Sequence, residues 1–223
     1  MSVDVRSKPR WLPAATLVGL SVALLSPLLT NLVVTRVLGV MPSRALVAAG
    51  LVIHWVIFIA LVIIVRLWEQ EPLQSIGWRQ PRWSTLGFGI VAGVVIIVVS
   101  GLVTDGLGLR SDQHFLAFLQ SQSVVVRVLL VVTAGVFEET LYRGYGIERL
   151  SRYCGGKYVA AAISLALFTL AHASVVEASA LLPILIVAGL VTLLYLWRRD
   201  LLLNMVAHTT IDAMGLLVIP SLG

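Results

Sequence analysis

Residues 124–147, VVVRVLLVVTAGVFEETLYRGYGI, decide how this chain is read. The stretch is long enough to cross ~30 Å of hydrocarbon. Even so it carries two adjacent carboxylates, Glu138 and Glu139, with Arg143 one helical turn further on. An ionisable side chain at mid-bilayer costs at least about 2.5 kcal/mol, so it is retained where it pairs or reacts. On a helix, residues four apart share a face and neighbours point about 100° apart. Glu139 is therefore expected to pair with Arg143, while Glu138 turns away and requires another partner, such as a histidine on a neighbouring helix.

The chain around this segment is built for a membrane. Of 223 residues, 59% are hydrophobic and 12% charged, which excludes an ordinary soluble domain. Seven apolar stretches are predicted as spans: Leu12 to Val34, Leu46 to Val65, Leu86 to Val103, Val124 to Ile147, Tyr158 to His172, Leu181 to Trp197 and Leu201 to Ile219. The fifth is short, and Pro27 and Asn31 interrupt the first. The expected fold is all-α: a polytopic transmembrane bundle of seven to eight helices, residues 1–223 forming one integral membrane domain. No signal peptide is expected, because the apolar run after Arg6, Lys8 and Arg10 is too long and no cleavage site is evident.

The net charge of +5 follows topology rather than nucleic-acid binding. With the N-terminus inside, Arg6, Lys8, Arg10, Arg66, Arg79, Arg82, Arg149, Arg152, Lys157, Arg198 and Arg199 fall on the cytoplasmic side, against Arg36, Arg44 and Arg110 outside. Eleven against three is a strong positive-inside bias. It predicts a multi-pass plasma-membrane protein of prokaryotic type, N-terminus cytoplasmic and C-terminus outside, whose surroundings are membrane lipids. The segment WEQEPLQSIGWRQPRW (68–83), with Trp68, Trp78 and Trp83, reads as an interfacial anchor. In the outer loop 105–123, Phe115, Leu116, Phe118 and Leu119 read as a short amphipathic helix with a solvated His114. The lone Cys154 forms no internal disulfide and reads as a neutral loop thiol. His54, in the second span, reads as a helix–helix hydrogen bond.

Two further histidines and an aspartate lie in the spans C-terminal to the glutamates. Phe168-Thr169-Leu170-Ala171-His172 closes the fifth span. His208-Thr209-Thr210-Ile211-Asp212 puts a histidine and an aspartate on one helical face, so that Asp212 is expected to orient His208. At ~1.5 Å per residue, Glu138 lies roughly 15 Å in from Arg149, His172 roughly 22 Å from Lys157 and His208 roughly 13 Å from Arg199. All three sit at mid-membrane depth, where they are expected to line one cavity. A structural polar cluster accounts for any one of them; three at one depth point to a site.

These motifs carry a resemblance. EETLYR resembles the EExxxR signature of the CAAX protease and bacteriocin-processing (CPBP) family of intramembrane endopeptidases, FTLAH its FxxxH motif, and HTTID its HxxxN/D motif, with Asp212 in the last place. Order and spacing agree over Glu138 to Asp212, about a third of the chain, inside a core expected over 124–220 and the last four helices. The resemblance implies a protease like the type II CAAX prenyl endopeptidases, acting on a peptide or membrane-protein substrate. By it, Glu138 would be the general base and His172 its partner. His208 and Asp212 would stabilise the oxyanion or hold the water, and Glu139, Arg143 and Phe168 would shape the site. No cofactor is the reading taken; zinc, held by Glu138, His172 and His208, stays open as the alternative. Two rivals also remain: a non-catalytic scaffold or immunity protein, and a small proton-coupled transporter. Against the transporter stand the short chain and the lack of internal repeats.

Overall fold

The computed structural model describes residues 13–32 and 44–218. Among them the chain is helical, without strands. The elements are α1 (Ala14–Leu32), α2 (Arg44–Ile63, continued by a π turn Ile64–Trp68), α3 (Trp83–Gly106), α4 (Gln113–Gln120), α5 (Val124–Glu138, continued by a π segment Glu139–Ile147 and Glu148–Leu150), α6 (Lys157–His172), α7 (Leu181–Arg198) and α8 (Leu201–Ala213, continued by a π turn Met214–Val218). Arg6, Lys8, Arg10, Arg36, both ends of the first expected span and Ile219 lie outside the described residues, as does the side chain of Arg44.

Among the described residues, five helical stretches are long and apolar enough to cross a membrane: Ala14–Asn31, Ala45–Trp68, Trp83–Gly106, Ala178–Arg198 and Leu201–Val218. Lys157–His172 is apolar but shorter. The expected fourth span is missing from the five because its glutamates and arginines depart from a purely apolar composition. The surface is inverted relative to a soluble protein. Val52, Leu102 and Val125 face outward, while Glu139, Arg143, Arg149 and Asn204 are buried. That arrangement matches a bundle solvated by lipid, where polar groups must find partners inside. This is a membrane protein. Pro27 does not end α1, which runs on to Leu32.

Close crossings set where the site helices stand. Gly89 and Gly93, four apart on α3, face α8, and a methyl group on Gly93 would lie 2.6 Å from the Ala207 carbonyl oxygen. On α5, a methyl on Gly135 would lie 3.1 Å from the Met205 carbonyl. Small residues here let backbones approach, as in other membrane bundles. α8 is thus held between α3 and α5. Its start is equally tight: Arg199 and Asp200 alone link it to α7, and the Asp200 carboxylate caps Leu203 N–H at 3.2 Å. Arg199 adopts φ 45°, a left-handed conformation unusual for a side-chain-bearing residue, and Glu148 grips its guanidinium through both oxygens.

Residues assigned to the cytoplasmic side gather at one end of the bundle. Glu69, just past α2, accepts from Arg149 at 2.8 and 2.9 Å, from Tyr145 at 2.8 Å and from Thr16 at 2.8 Å. One carboxylate thereby ties α1, α2 and α5 together. At the other end, Asp112 caps α4 through Phe115 N–H and also accepts from Glu177 N–H, both at 2.8 Å. The short helix expected over Phe115 to Leu119 is there as α4.

Two outcomes are expected. Gly93→Val should lower the melting temperature in detergent and remove the activity proposed below, by pushing α8 off α3. Gly101→Ala, where nothing lies within 4 Å, should change neither. Burial pushes the Glu69 carboxyl up, but the hydrogen bonds from Arg149, Tyr145 and Thr16 outweigh it and hold the group below its ordinary value of 4.5. A depressed carboxyl adds stability above its unfolded pKa and loses it as pH falls through the folded one. Melting temperature should therefore drop below about pH 4.5, and Glu69→Gln should flatten that part of the curve.

Candidate active site

Glu139 turns into the bundle. It is 0% exposed, and every interaction around it satisfies a negative charge. Oε1 accepts from Arg143 at 3.0 Å and from His208 Nδ1 at 2.8 Å, and Oε2 accepts from Asn204 Nδ2 at 3.2 Å. The expected turn-to-turn pair of Glu139 and Arg143 is thus present, within a larger network. Arg143 spends its other donors on the Ala188 carbonyl at 3.0 Å and Thr192 Oγ1 at 3.3 Å, and its guanidinium lies 4.5 Å over the Phe168 ring. A buried ion pair survives only with such complete satisfaction. The π segment begins at Glu139 itself, and widening of the helix is common where side chains must be re-aimed at a site.

The bond to Glu139 fixes the histidine. A carboxylate only accepts, so Nδ1 of His208 donates and Nε2 is left facing the other way. There it meets Glu138 Oε2 at 3.9 Å and Asp212 Oδ2 at 3.6 Å. Neither distance is a hydrogen bond. The Glu138 and Asp212 side chains are 23% and 29% exposed, unlike Glu139. The accessible carboxylates and the imidazole nitrogen face one another; the inaccessible carboxylate holds them. Asp212 was expected to orient His208, but Glu139 does so, because it offers the shorter contact from a fully buried position.

His172 is held by the last turn of its own helix. Its Nδ1 donates to the Phe168 carbonyl at 2.9 Å, its ring packs on Phe168 at 4.7 Å, and Asp212 lies within electrostatic reach. The ring makes no ion pair with Glu138 among the described residues. The histidine beside Glu138 on the C-terminal side is His208. On the other side is His54 of α2, whose ring lies 4.3 Å from Phe137 and within electrostatic reach of Glu138. Among the described residues His54 makes no helix–helix hydrogen bond of the kind expected; α2 is pinned by Trp55, which donates to Thr133 at 3.1 Å. Cys154 lies away from this cluster, its thiol on the Leu150 carbonyl.

Asn204 and Thr192 escaped the motif reading. A signal existed for Asn204: it falls four residues before His208, on the same face, within an apolar run. Among the described residues no three of His, Cys, Asp and Glu are gathered as a metal ion requires.

Residues 120–214 match the family model of type II CAAX prenyl endopeptidase Rce1-like proteins. This Rce1-like region covers less than half of the chain. It takes in α5 to α8 and every motif residue from Glu138 to Asp212, and leaves α1 to α3, with His54, outside the match. The family so described is one of CAAX-type intramembrane proteases, which are hydrolases. Neither the curated proteins nor the solved structures give a match.

Arg143→Ala would leave Glu139 buried and half-unpaired, and should cost about 3–5 kcal/mol. Arg143→Lys should rescue little, since a point charge cannot serve Glu139, Ala188 and Thr192 together. Thermal unfolding in detergent measures both; a full-stability Arg143→Ala would contradict the network.

Proposed function

We propose that the Rce1-like domain is an intramembrane endopeptidase that cleaves a peptide bond near the membrane with a water activated by Glu138. The observation that carries this reading is the accessible Glu138 facing His208 Nε2 across 3.9 Å, with His208 Nδ1 anchored on buried Glu139. A water between them would give its proton to Glu138 while its oxygen attacks the scissile carbonyl carbon. The oxyanion would be met by Nε2–H of His208 and of His172, each ring carrying a proton on both nitrogens as imidazolium. Glu138 would return the proton to the leaving nitrogen as the C–N bond breaks, yielding an acid and an amine. Such donors act strongly where water is excluded. Glu139, Arg143 and Phe168 hold the frame, and Asp212 holds the water. The substrate is a peptide or membrane protein, the cofactor none, and the setting the plasma membrane of a prokaryotic cell with the N-terminus cytoplasmic. Residues 1–223 act as one membrane domain with its catalytic core over 124–220.

The test uses an internally quenched peptide ending in a prenylated CAAX sequence, beside the same peptide without the prenyl group. Glu138→Gln and His208→Ala should each abolish cleavage while remaining folded, and the double variant should be little worse than either. His172→Ala should also abolish it. Chelator should leave the rate unchanged; a loss restored by zinc would favour a metalloprotease. Cleavage by folded Glu138→Gln would remove Glu138 as the base, and a scaffold or immunity role would leave cellular function intact in that variant.

A further inference from the structure

The EETLYR segment contains two successive couples one helical turn apart, and only one is made. Glu139 meets Arg143 at 3.0 Å. Glu138 and Tyr142 stand in the same relation on the adjoining face. Tyr142 is 2% exposed, and its hydroxyl has no hydrogen-bond partner among the described residues. The ring is fixed around that orphan group: Phe168 packs edge-on at 5.1 Å, and Ser164 donates to the Tyr142 carbonyl at 2.7 Å. Glu138 and Arg143 both lie within electrostatic reach of the hydroxyl. The Glu138 carboxylate, in turn, makes no hydrogen bond among the described residues; its recorded ion-pair contact is His208 at 3.9 Å.

A buried O–H without an acceptor costs free energy that a phenylalanine would avoid, so the hydroxyl calls for a partner. The accessible acceptor on its own face is Glu138. We propose that Tyr142 is a positioning residue for Glu138, its hydroxyl donating to one carboxylate oxygen in the working site and leaving the other to take the proton of water. This rests on the general-base reading of Glu138. A glutamate carries three rotatable bonds, and anchoring one oxygen removes most of that freedom before the reaction begins. Phe168 then serves both couples, supporting Arg143 with its face and Tyr142 with its edge.

Tyr142→Phe removes the hydroxyl and keeps the ring. The variant should remain folded, since the ring keeps its packing on Phe168. With the quenched CAAX peptide, kcat should fall roughly ten- to hundredfold, the worth of one hydrogen bond to a charged group, while KM holds. A second readout is independent of cleavage: the carboxylate stretch of Glu138, assigned by infrared difference against Glu138→Gln, should shift in Tyr142→Phe. In the Glu138→Gln background, Tyr142→Phe should add no further kinetic loss. The proposal stands on the kcat loss and the band shift together. An unshifted band overturns it, and so does a kcat within twofold of the parent. If Glu138→Gln still cleaves, the base reading fails, and the band shift then tests the Tyr142–Glu138 contact by itself.

Discussion

The structure depends on one buried carboxylate. Glu139 on α5 receives Arg143 from its own helix and His208 and Asn204 from α8, and Arg143 carries the connection on to Ala188 and Thr192 of α7. An unpaired charge in this environment would cost more than most single interactions supply. The three helices therefore have few ways to be arranged once Glu139 is ionised. Apolar packing against lipid cannot provide such discrimination, because one leucine-rich face resembles another. The glycines on α3 and α5 bring α8 close enough for the network to close, and the network determines which face of α8 turns inward.

Much of this was legible in the sequence, for identifiable reasons. Span length and apolar composition follow from the thickness of the bilayer, so α1, α2, α3, α7 and α8 could be located within a few residues of their observed bounds. The Glu139–Arg143 pair follows from helical periodicity alone. What could not be read were contacts between distant segments. A polar residue in an apolar run, such as Asn204 or Thr192, announces that a partner exists without naming it. Asp212 was the local candidate for orienting His208, yet Glu139, sixty-nine residues away in sequence, makes the shorter contact. The π segment from Glu139 was likewise invisible, since α-helical periodicity gives no warning of its own failure.

Helices outside the matched 120–214 region also contribute to the site. Trp55 pins α2 on Thr133, which brings His54 beside Phe137 and within reach of Glu138. At the opposite depth Glu69 joins α2 to Arg149 and Tyr145 of the π segment and to Thr16 of α1. The helix bearing the glutamates is thus fastened at mid-membrane and at its end to elements that carry none of the motifs. Those elements are framework for the site as well as lipid-facing cover.

The two adjacent glutamates make sense only as a division of labour. Were both buried and paired, no carboxylate would be free to accept a proton. Were both accessible, nothing would hold Arg143 and His208. A single residue of separation rotates the side chains about 100° apart, enough to put one fully inside the bundle and leave the other partly exposed. Glu139, at 0% exposure with both oxygens engaged, cannot reach a water; Glu138, at 23% with neither engaged, can. Burial sorts the pair into an anchor and a partly exposed carboxylate, and His208 joins them, one ring nitrogen committed to the first and the other turned toward the second.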